Sequence, residues 1–446
     1  MFICGRTGWK PILRSYYTPA VANHLPTSVL KELLAELARQ AFDRCQQAAT
    51  CSDELPAITR TFCSPAMRQL HGLLRGWLES AGMSCWLDAA GNLRGRLPCG
   101  VSSTAPALLI GSHLDTVPNG GRYDGLLGAV LGIALVEAVT RGGLQLPFAI
   151  EVIGFSEEEG VRFGTPFIGS RAIAGDVDEA LLNVVDANGV SVRTALENFG
   201  CNPAEVATTE IDPDQVIGFL EPHIEQGPVL QAENRPLAVV SAIAGQTRAA
   251  VRFVGAAGHA GTTPMHLRRD ALAAAAEWIT LVERTAQQTP GLVATVGVIE
   301  ALPGAGNVIP AETKVRLDIR HADDQVRLTA IQNLRARGAE LADRRQVAFH
   351  FDLLHEHGAV AMDESLTLLL ELCLPADSNA YPRLVSGAGH DAAVMARRFP
   401  TAMLFIRCQD GISHHPDEFV TLEDVTKALL AMWHFVRQFA AVNKEQ

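Results

Sequence analysis

No run of apolar residues in this chain is long enough to cross a membrane. The most apolar stretch, Leu126 to Val139, falls short of the roughly 18–20 residues a span requires and contains Glu137. An excess of basic charge is missing too. Against 37 Lys and Arg stand 49 Asp and Glu, a net charge of −12. That excludes nucleic acid as a default partner and leaves only a local basic cleft open. The 9 cysteines include no C-x-x-C pair, are odd in number and are scattered. They read as reduced thiols of an intracellular protein, not as a disulfide framework or zinc finger. There are no internal repeats and no low-complexity tracts. With 48% hydrophobic and 19% charged residues, the composition is that of an ordinary globular protein. At roughly 100–200 residues per domain, 446 residues predict two or three domains with a core that needs no staples. The first 31 residues carry Arg6, Lys10, Arg14 and Lys31 and no acid. We read residues 1–25 as a leader of unknown role in a cytoplasmic protein, with organelle targeting as the alternative.

Periodicity divides the remainder. Helical spacing covers Pro26 to Gln47, with Thr27 or Ser28 as its cap, and Pro65 to Gly82, with Gly82 as its stop. Ala105 to Ile110 and Pro147 to Phe155 read as short buried strands with a helix between them, Gly125 to Arg141. Strand, helix, strand in that order predicts a parallel α/β sheet, and ligands collect beyond the carboxyl ends of such strands. Those ends carry His113, Asp115 and Glu157 to Glu159. Near Ser241 the texture changes. Strands at Gln246–Val254, Leu292–Glu300, Glu312–Arg320 and Val347–Leu354 alternate with helices at Arg269–Thr289 and Asp323–Leu341. The β-α-β-β-α-β order describes a ferredoxin-like insert. The expected architecture is therefore α/β: a mixed, largely parallel sheet flanked by helices, interrupted by a smaller α+β domain. The expected boundaries are 26–242 and 358–446 for the larger domain and 243–357 for the insert.

Five segments combine metal-ligand side chains with Gly-rich turns: Gly111–Thr116, Gly120–Gly125, Ser156–Gly160, Pro222–Gly227 and Gly411–Pro416. Together they offer imidazoles, carboxylates and a spare glutamate. Imidazole with carboxylate suits zinc, manganese or similar divalent ions and not soft-thiolate chemistry. Two ions need a bridging carboxylate and an open position for water, and a further carboxylate can then act as a base. Asp115, two residues past His113, could accept the imidazole proton and fix its tautomer. Each segment alone is weak evidence. A lone His at a strand end is more often packed than ligating, and three glutamates before a glycine usually form a solvated turn. Glu157 to Glu159, however, follow an apolar strand directly, and the coincidence of five such segments carries more weight than any one.

The strings Gly111–Thr116, Glu157–Phe163, His223–Pro228, Gly258–Met265, Ser386–Ala392 and Gly411–Pro416 resemble the M20 metallopeptidase-type family, specifically its amidohydrolase branch. That branch comprises allantoate amidohydrolases, N-carbamoyl-L-amino acid hydrolases, ureidoglycolate amidohydrolases and one type of β-ureidopropionase. The resemblance runs from about Arg60 to the C-terminus. It implies two divalent metal ions per subunit, Mn2+ or Zn2+, with His113, Asp124 and His223 on one ion and Asp124, Glu159 and His414 on the other. It makes Glu158 the general base, taking a proton from the attacking water and passing it to the departing nitrogen. It makes His259 the donor that stabilises the oxyanion, acting in the partner subunit's site. Gln226, His259, Asn307 and Arg320 become substrate contacts, the fork of Arg320 suiting a carboxylate. Without the resemblance, His259 reads as a structural loop residue and Arg320 as an ion pair with Asp323 or Asp324. His390 and Asp391 support the site without direct chemistry.

Two departures matter. Pro222 precedes His223 where relatives mostly carry an apolar non-proline residue, which restricts Glu221 and removes an amide donor. His415 beside His414 leaves the ligand ambiguous by sequence, and the family pattern favours His414. The resemblance implies hydrolysis of a linear ureido or amide C–N bond in a small molecule bearing a carboxylate. Phe405–Cys408, Gly411–His414 and Gly245–Arg248 lean toward conversion of allantoate to ureidoglycine, ammonia and CO2. N-carbamoyl-L-amino acid hydrolysis is the close alternative. A dipeptidase, or a binding protein that lost activity, is the outside reading, opposed by the His223–Gly227 string and by the intact set Asp124, Glu158 and Glu159. The insert is expected to form a homodimer interface. Neither nucleic acid nor membrane is an expected partner.

Overall fold

The computed structural model describes residues 25–100, 105–376 and 380–444. The leader expected over residues 1–25 lies, except for Leu25, outside the described residues. The chain forms two compact units. The described residues of Met1–Ser241, Met362–Leu384 and His390–Gln446 form one, and Ala242–Ala361 with Val385–Gly389 forms the other.

In the larger unit, the first helix α1 (Thr27–Ala48) begins after Pro26, and no side chain caps it. The cap expected from Thr27 or Ser28 is not made, because Pro26 already occupies the capping position and Thr27 falls inside the first turn. Helix α2 (Pro65–Ser80) is capped by Ser64, whose hydroxyl accepts the Met67 amide. Strands β1 (Ser84–Leu87) and β2 (Leu93–Leu97) follow, then β3 (Ala107–His113), α3 (Leu126–Arg141), β4 (Ala149–Phe155), β5 (Val216–Ile224) and β6 (Leu237–Ile243). Later come β11 (Thr401–Ile406) and α6 (Leu422–Lys444). Within the nine-stranded sheet these strands run in the order β1-β2-β4-β3-β5-β11-β6. β3 is parallel to β4 and β5, and β5 to β11, while β1, β2 and β6 run antiparallel at the flanks. β3 and β4 are buried along their whole length, as a sheet covered on both faces requires. Helix α3 is buried nearly all round, packed on β3 and against α1 and α6. β3 runs three residues past the expected end at Ile110, so that His113 is itself a strand residue.

The smaller unit has strands β7 (Gly245–Val254), β8 (Val293–Leu302), β9 (Glu312–His321) and β10 (Ala348–His357), with helices α4 (Ala271–Gln288) and α5 (Asp324–Arg345). The order β10-β7-β9-β8 is antiparallel throughout, as the β-α-β-β-α-β reading predicts. Ala249, Val251 and Phe253 of β7 pack on Trp278 and Leu334 of the helices, and the Trp278 indole donates to the Leu334 carbonyl at 3.0 Å. Helix α5 runs past the expected Leu341 to Arg345 and stops where Gln346 turns left-handed (φ 56°). Among the described residues no helix is long and apolar enough to cross a membrane.

Candidate metal centre and active site

The site is built at the carboxyl ends of three adjacent parallel strands. His113 ends β3, Glu157 to Glu159 follow β4, and His223 lies near the end of β5. The register pairs His113 with Phe155, which brings the two strand ends level. Asp115 then joins them: its carboxylate accepts the Glu158 and Glu159 amides, both at 3.0 Å. The imidazole proton of His113 does not go to that carboxylate. Nδ1 of His113 is 3.0 Å from the Asp115 main-chain carbonyl and 3.6 Å from the carboxylate. The ring nitrogen is held by the backbone carbonyl, and the carboxylate lies beyond hydrogen-bond distance.

Asp124 precedes α3. Gly125 follows it at φ +63°, and a Cβ there would strike the His113 imidazole, so only glycine lets the turn approach the histidine. Oδ1 of Asp124 lies 3.3 Å from Nε2 of His223 and 3.7 Å from Nε2 of His113. Oδ2 lies 3.1 Å from Nε2 of His414, which is 3.5 Å from a Glu159 oxygen. One carboxylate thus presents each oxygen to a separate donor set: His113 and His223 on one side, Glu159 and His414 on the other. Both sets have ligand atoms close enough together to hold an ion. Hard carboxylate and borderline imidazole donors fit zinc or manganese, and the excess of acids around them favours a cation. His415 points elsewhere, to Asp417, so the geometry selects His414.

Pro222 disturbs nothing. The amides of β5 that bond toward β11 are those of Phe219 and Glu225, which share a parity that Pro222 does not. The missing donor faces β3, whose pairing with β5 has ended at Leu220. Nδ1 of His223 meets the Ile224 carbonyl at 2.9 Å, leaving Nε2 aimed at Asp124.

Burial sets the protonation of the cluster. Glu158 is pushed well above the ordinary carboxylate range by burial, with Glu159 and neighbouring acids adding to it against His113. Burial pushes Glu159 up to about 7 and His223 down to about 4. For Asp124, burial is outweighed by hydrogen bonds from His113 and His414, and it stays well below the usual range. A buried carboxyl of high pKa beside an ionised one is the arrangement in which acid and base roles separate.

Gln226 adopts a left-handed backbone (φ 56°), as does His414 (φ 56°). Its amide nitrogen is 3.2 and 3.1 Å from the two Asp124 oxygens and 3.2 Å from Nε2 of His414. The structure therefore brings Gln226 into the cluster of candidate ligands around Asp124. His259, Asn307 and Arg320 belong to the smaller unit. His259 is exposed and pairs with Val308, next to Asn307, whose carbonyl accepts the Ala260 amide at 2.9 Å. Nδ1 of His259 accepts the Gly261 amide at 3.0 Å, so the neutral ring offers Nε2–H as a donor. Arg320 pairs with Asp318, at 2.8 and 3.0 Å, and with the Gly387 carbonyl, not with Asp323 or Asp324. Those two acids are engaged at the start of α5 instead, Asp323 as its cap and Asp324 with Arg327.

Three supporting residues escaped the sequence reading. Glu221, in β5, accepts the Ser112 hydroxyl at 2.8 Å and the Ala392 amide at 2.7 Å. It anchors the segment carrying His390, whose ring packs edge-on against His223 at 4.4 Å. Arg60, fully buried, donates to the Leu114 and Cys51 carbonyls at 2.7 and 3.0 Å and so clamps the chain beyond His113. Glu418 accepts the Tyr123 and Asp124 amides at 2.8 and 3.0 Å. An acid inside the apolar strand Phe219-Leu220-Glu221 was a readable signal; Arg60 gave none.

The family model described as peptidase family M20/M25/M40 matches residues 109–438, and the chain belongs to that family. Among its relatives is an allantoate deiminase of Arabidopsis thaliana, 39% identical over 90% of this chain and 82% of that protein. An N-carbamoyl-L-amino acid amidohydrolase of Geobacillus stearothermophilus is 37% identical over 86% of this chain and 93% of its own. In structure, the chain is similar to an amidase of the hydantoinase/carbamoylase family from Burkholderia multivorans, with a TM-score of 0.85 and 30% identity over 91% of this chain and 98% of that one.

Proposed function

We propose that this protein is a binuclear metal-dependent amidohydrolase acting on a linear ureido C–N bond, with allantoate as substrate and ureidoglycine, ammonia and CO2 as products. The observation that carries the reading is the divided carboxylate of Asp124, one oxygen turned to His223 and the other to His414. His113, Asp124 and His223 would hold one ion, and Asp124, Glu159 and His414 the other; the ions are Mn2+ or Zn2+. When bound they lower the pKa of water and polarise the scissile carbonyl. Glu158 takes the proton from the attacking water and delivers it to the departing nitrogen. His259, with Nε2–H free to donate, meets the negative charge that develops on the carbonyl oxygen. Gln226, Asn307 and Arg320 contact the substrate, Arg320 sharing its guanidinium between a substrate carboxylate and Asp318.

N-carbamoyl-L-amino acids are the second reading, favoured by the amidohydrolase relative described above; the higher identity to the allantoate deiminase ranks them second. Ammonia release decides the matter, measured on allantoate and a panel of N-carbamoyl-L-amino acids with added Mn2+ and then with chelator. Allantoate turnover that chelator abolishes is expected. Inertness toward every substrate by protein loaded with both ions would sink both readings.

Homodimerisation through the insert is part of the proposal. The edge strands of its sheet expose Val293, Val298 and Ile299 on β8 and Leu353 and Leu354 on β10, apolar surface suited to burial against a second copy. Mixing Glu158→Ala with His259→Ala subunits tests sharing of sites, since only a shared site regains activity in the hybrid. The free thiols of the described cysteines support residence in the reducing cytoplasm.

A further inference from the structure

We infer that Glu418 is a positioning residue that locks the shared carboxylate of the metal centre to the loop bearing His414; the inference rests on the binuclear reading above. Glu418 is 1% exposed. It reaches its place through a tight turn in which its own amide donates to the His415 carbonyl at 3.0 Å. One carboxylate oxygen accepts two consecutive amides, those of Tyr123 and Asp124, at 2.8 and 3.0 Å. The other accepts the Ser413 hydroxyl at 3.3 Å, and that hydroxyl stands equally 3.3 Å from Oδ2 of Asp124. A single buried side chain therefore holds the peptide planes on either side of Tyr123 and, through Ser413, touches the ligand oxygen itself. Asp124 and His414 are far apart in sequence, and this bridge joins the Gln226 amide, which also spans them, in setting their separation.

Two features show that the bridge is built into the fold. First, a Cβ added to Gly121 would occupy the space of the Glu418 carboxylate, so the Gly120-Gly121 turn is shaped around the acid. Second, the neighbours of the bridging residues form an aromatic cluster. Phe419 meets Tyr123 edge-on at 6.1 Å and Phe42 at 6.1 Å, while Phe42 and Tyr123 lie 5.8 Å apart. Gln46 of α1 adds a hydrogen bond to the Tyr123 hydroxyl at 2.6 Å. Helix α1 thus fixes the hydrophobic side of the same two segments that Glu418 fixes on the polar side. Glu418 belongs to neither donor set, and its oxygens accept the Tyr123 and Asp124 amides and the Ser413 hydroxyl. It acts on the ions only through Asp124 and His414, as outer hydrogen-bond partners of metal ligands do.

The test is metal titration by calorimetry of chelator-treated protein with Mn2+ and with Zn2+, alongside thermal unfolding of the metal-free forms. Wild type is expected to bind two ions. Glu418→Gln retains an oxygen for the two amides and offers N–H to Ser413, whose hydroxyl can still donate to Asp124; its affinities should stay close to wild type. Glu418→Ala should weaken the ion on the His414 side by about 10–100-fold, the usual effect of losing an outer partner. Gly121→Ala, which displaces the carboxylate without removing it, should weaken the same ion, and it decides the matter if Glu418→Ala does not fold. A purely structural tie would lower the unfolding temperature and leave both affinities unchanged. Two ions bound with wild-type affinity by Glu418→Ala or Gly121→Ala overturns the inference alone, as does equal weakening in Glu418→Gln and Glu418→Ala. A wild type that takes up no divalent ion overturns the binuclear reading, and this inference with it.

Discussion

The two oxygens of Asp124 face unlike surroundings. On the Oδ1 side, His113 and His223 are almost fully buried at strand ends, and the second ring nitrogen of each is held by a main-chain carbonyl. On the Oδ2 side, the His414 side chain is 47% exposed and sits on a loop, in a left-handed conformation that only surrounding contacts sustain. The inner side is preorganised by the sheet itself, so its donor geometry is as rigid as the core. The outer side depends on loop contacts and stays open to solvent. An ion on the inner side should be structural in its permanence, and one on the outer side should exchange.

The change that removes this contrast altogether has the largest expected effect. Asp124→Asn takes the shared charge from both sides, so both ions and all ureide hydrolysis should be lost. Retention of one tightly bound ion by that variant would break the idea of a shared carboxylate. Glu158→Gln comes next, because it leaves both donor sets intact. Turnover should fall about 10²–10⁴-fold, the range for removing a general acid–base group, while metal analysis still finds two ions. A loss of metal instead would make Glu158 a ligand. The contrast is then sharpened by timed exposure to chelator. One ion should leave well before the other, and His414→Ala should abolish the fast-leaving ion only, whereas His223→Ala should abolish the slow one. Simultaneous release of both ions would mean that the two sides are equivalent.

The donors that follow strands were far easier to read from sequence than those on loops, whichever side of the centre they serve. His113 and Glu157 to Glu159 follow apolar strands, and the β-α-β order already sends such residues to one edge of a parallel sheet. The insert was legible for a similar reason: its strands and helices alternate with clear periodicity. Loop partners give no such signal. His414 and His415 are indistinguishable by spacing, and only the fold turns one to Asp124 and the other to Asp417. Asp115 stands beside His113, yet it is its main-chain carbonyl that meets the ring, while its carboxylate takes two amides that no pattern predicts. Glu418 hides because its partners are main-chain groups almost 300 residues away in sequence, as the separation of 294 for its bond to Asp124 shows. Arg320 chose Asp318, two residues earlier on the same strand face, over the helix-start acids, because capping and Arg327 had already claimed those.

The buried ligands His113, His223 and Asp124 each have a hydrogen-bond partner, whereas Nε2 of the buried His71 has none. This α2 histidine packs edge-on against Phe199 at 5.4 Å, and its Nε2 has no hydrogen-bond partner. Burial first, and then Arg75, Arg60 and Arg68, lower its pKa from 6.5 to about 3. The native state therefore refuses a proton that the unfolded chain accepts below about pH 6.5. Its contribution is intact above that pH and is lost as pH falls toward 3, at up to about 1.4 kcal/mol per pH unit. His71→Leu removes the titration and keeps the packing. Urea unfolding of the metal-free protein at pH 7, 6 and 5 should show the wild type losing ground on the variant as pH falls. Parallel pH dependence in the two proteins would mean that His71 finds a partner or water in solution.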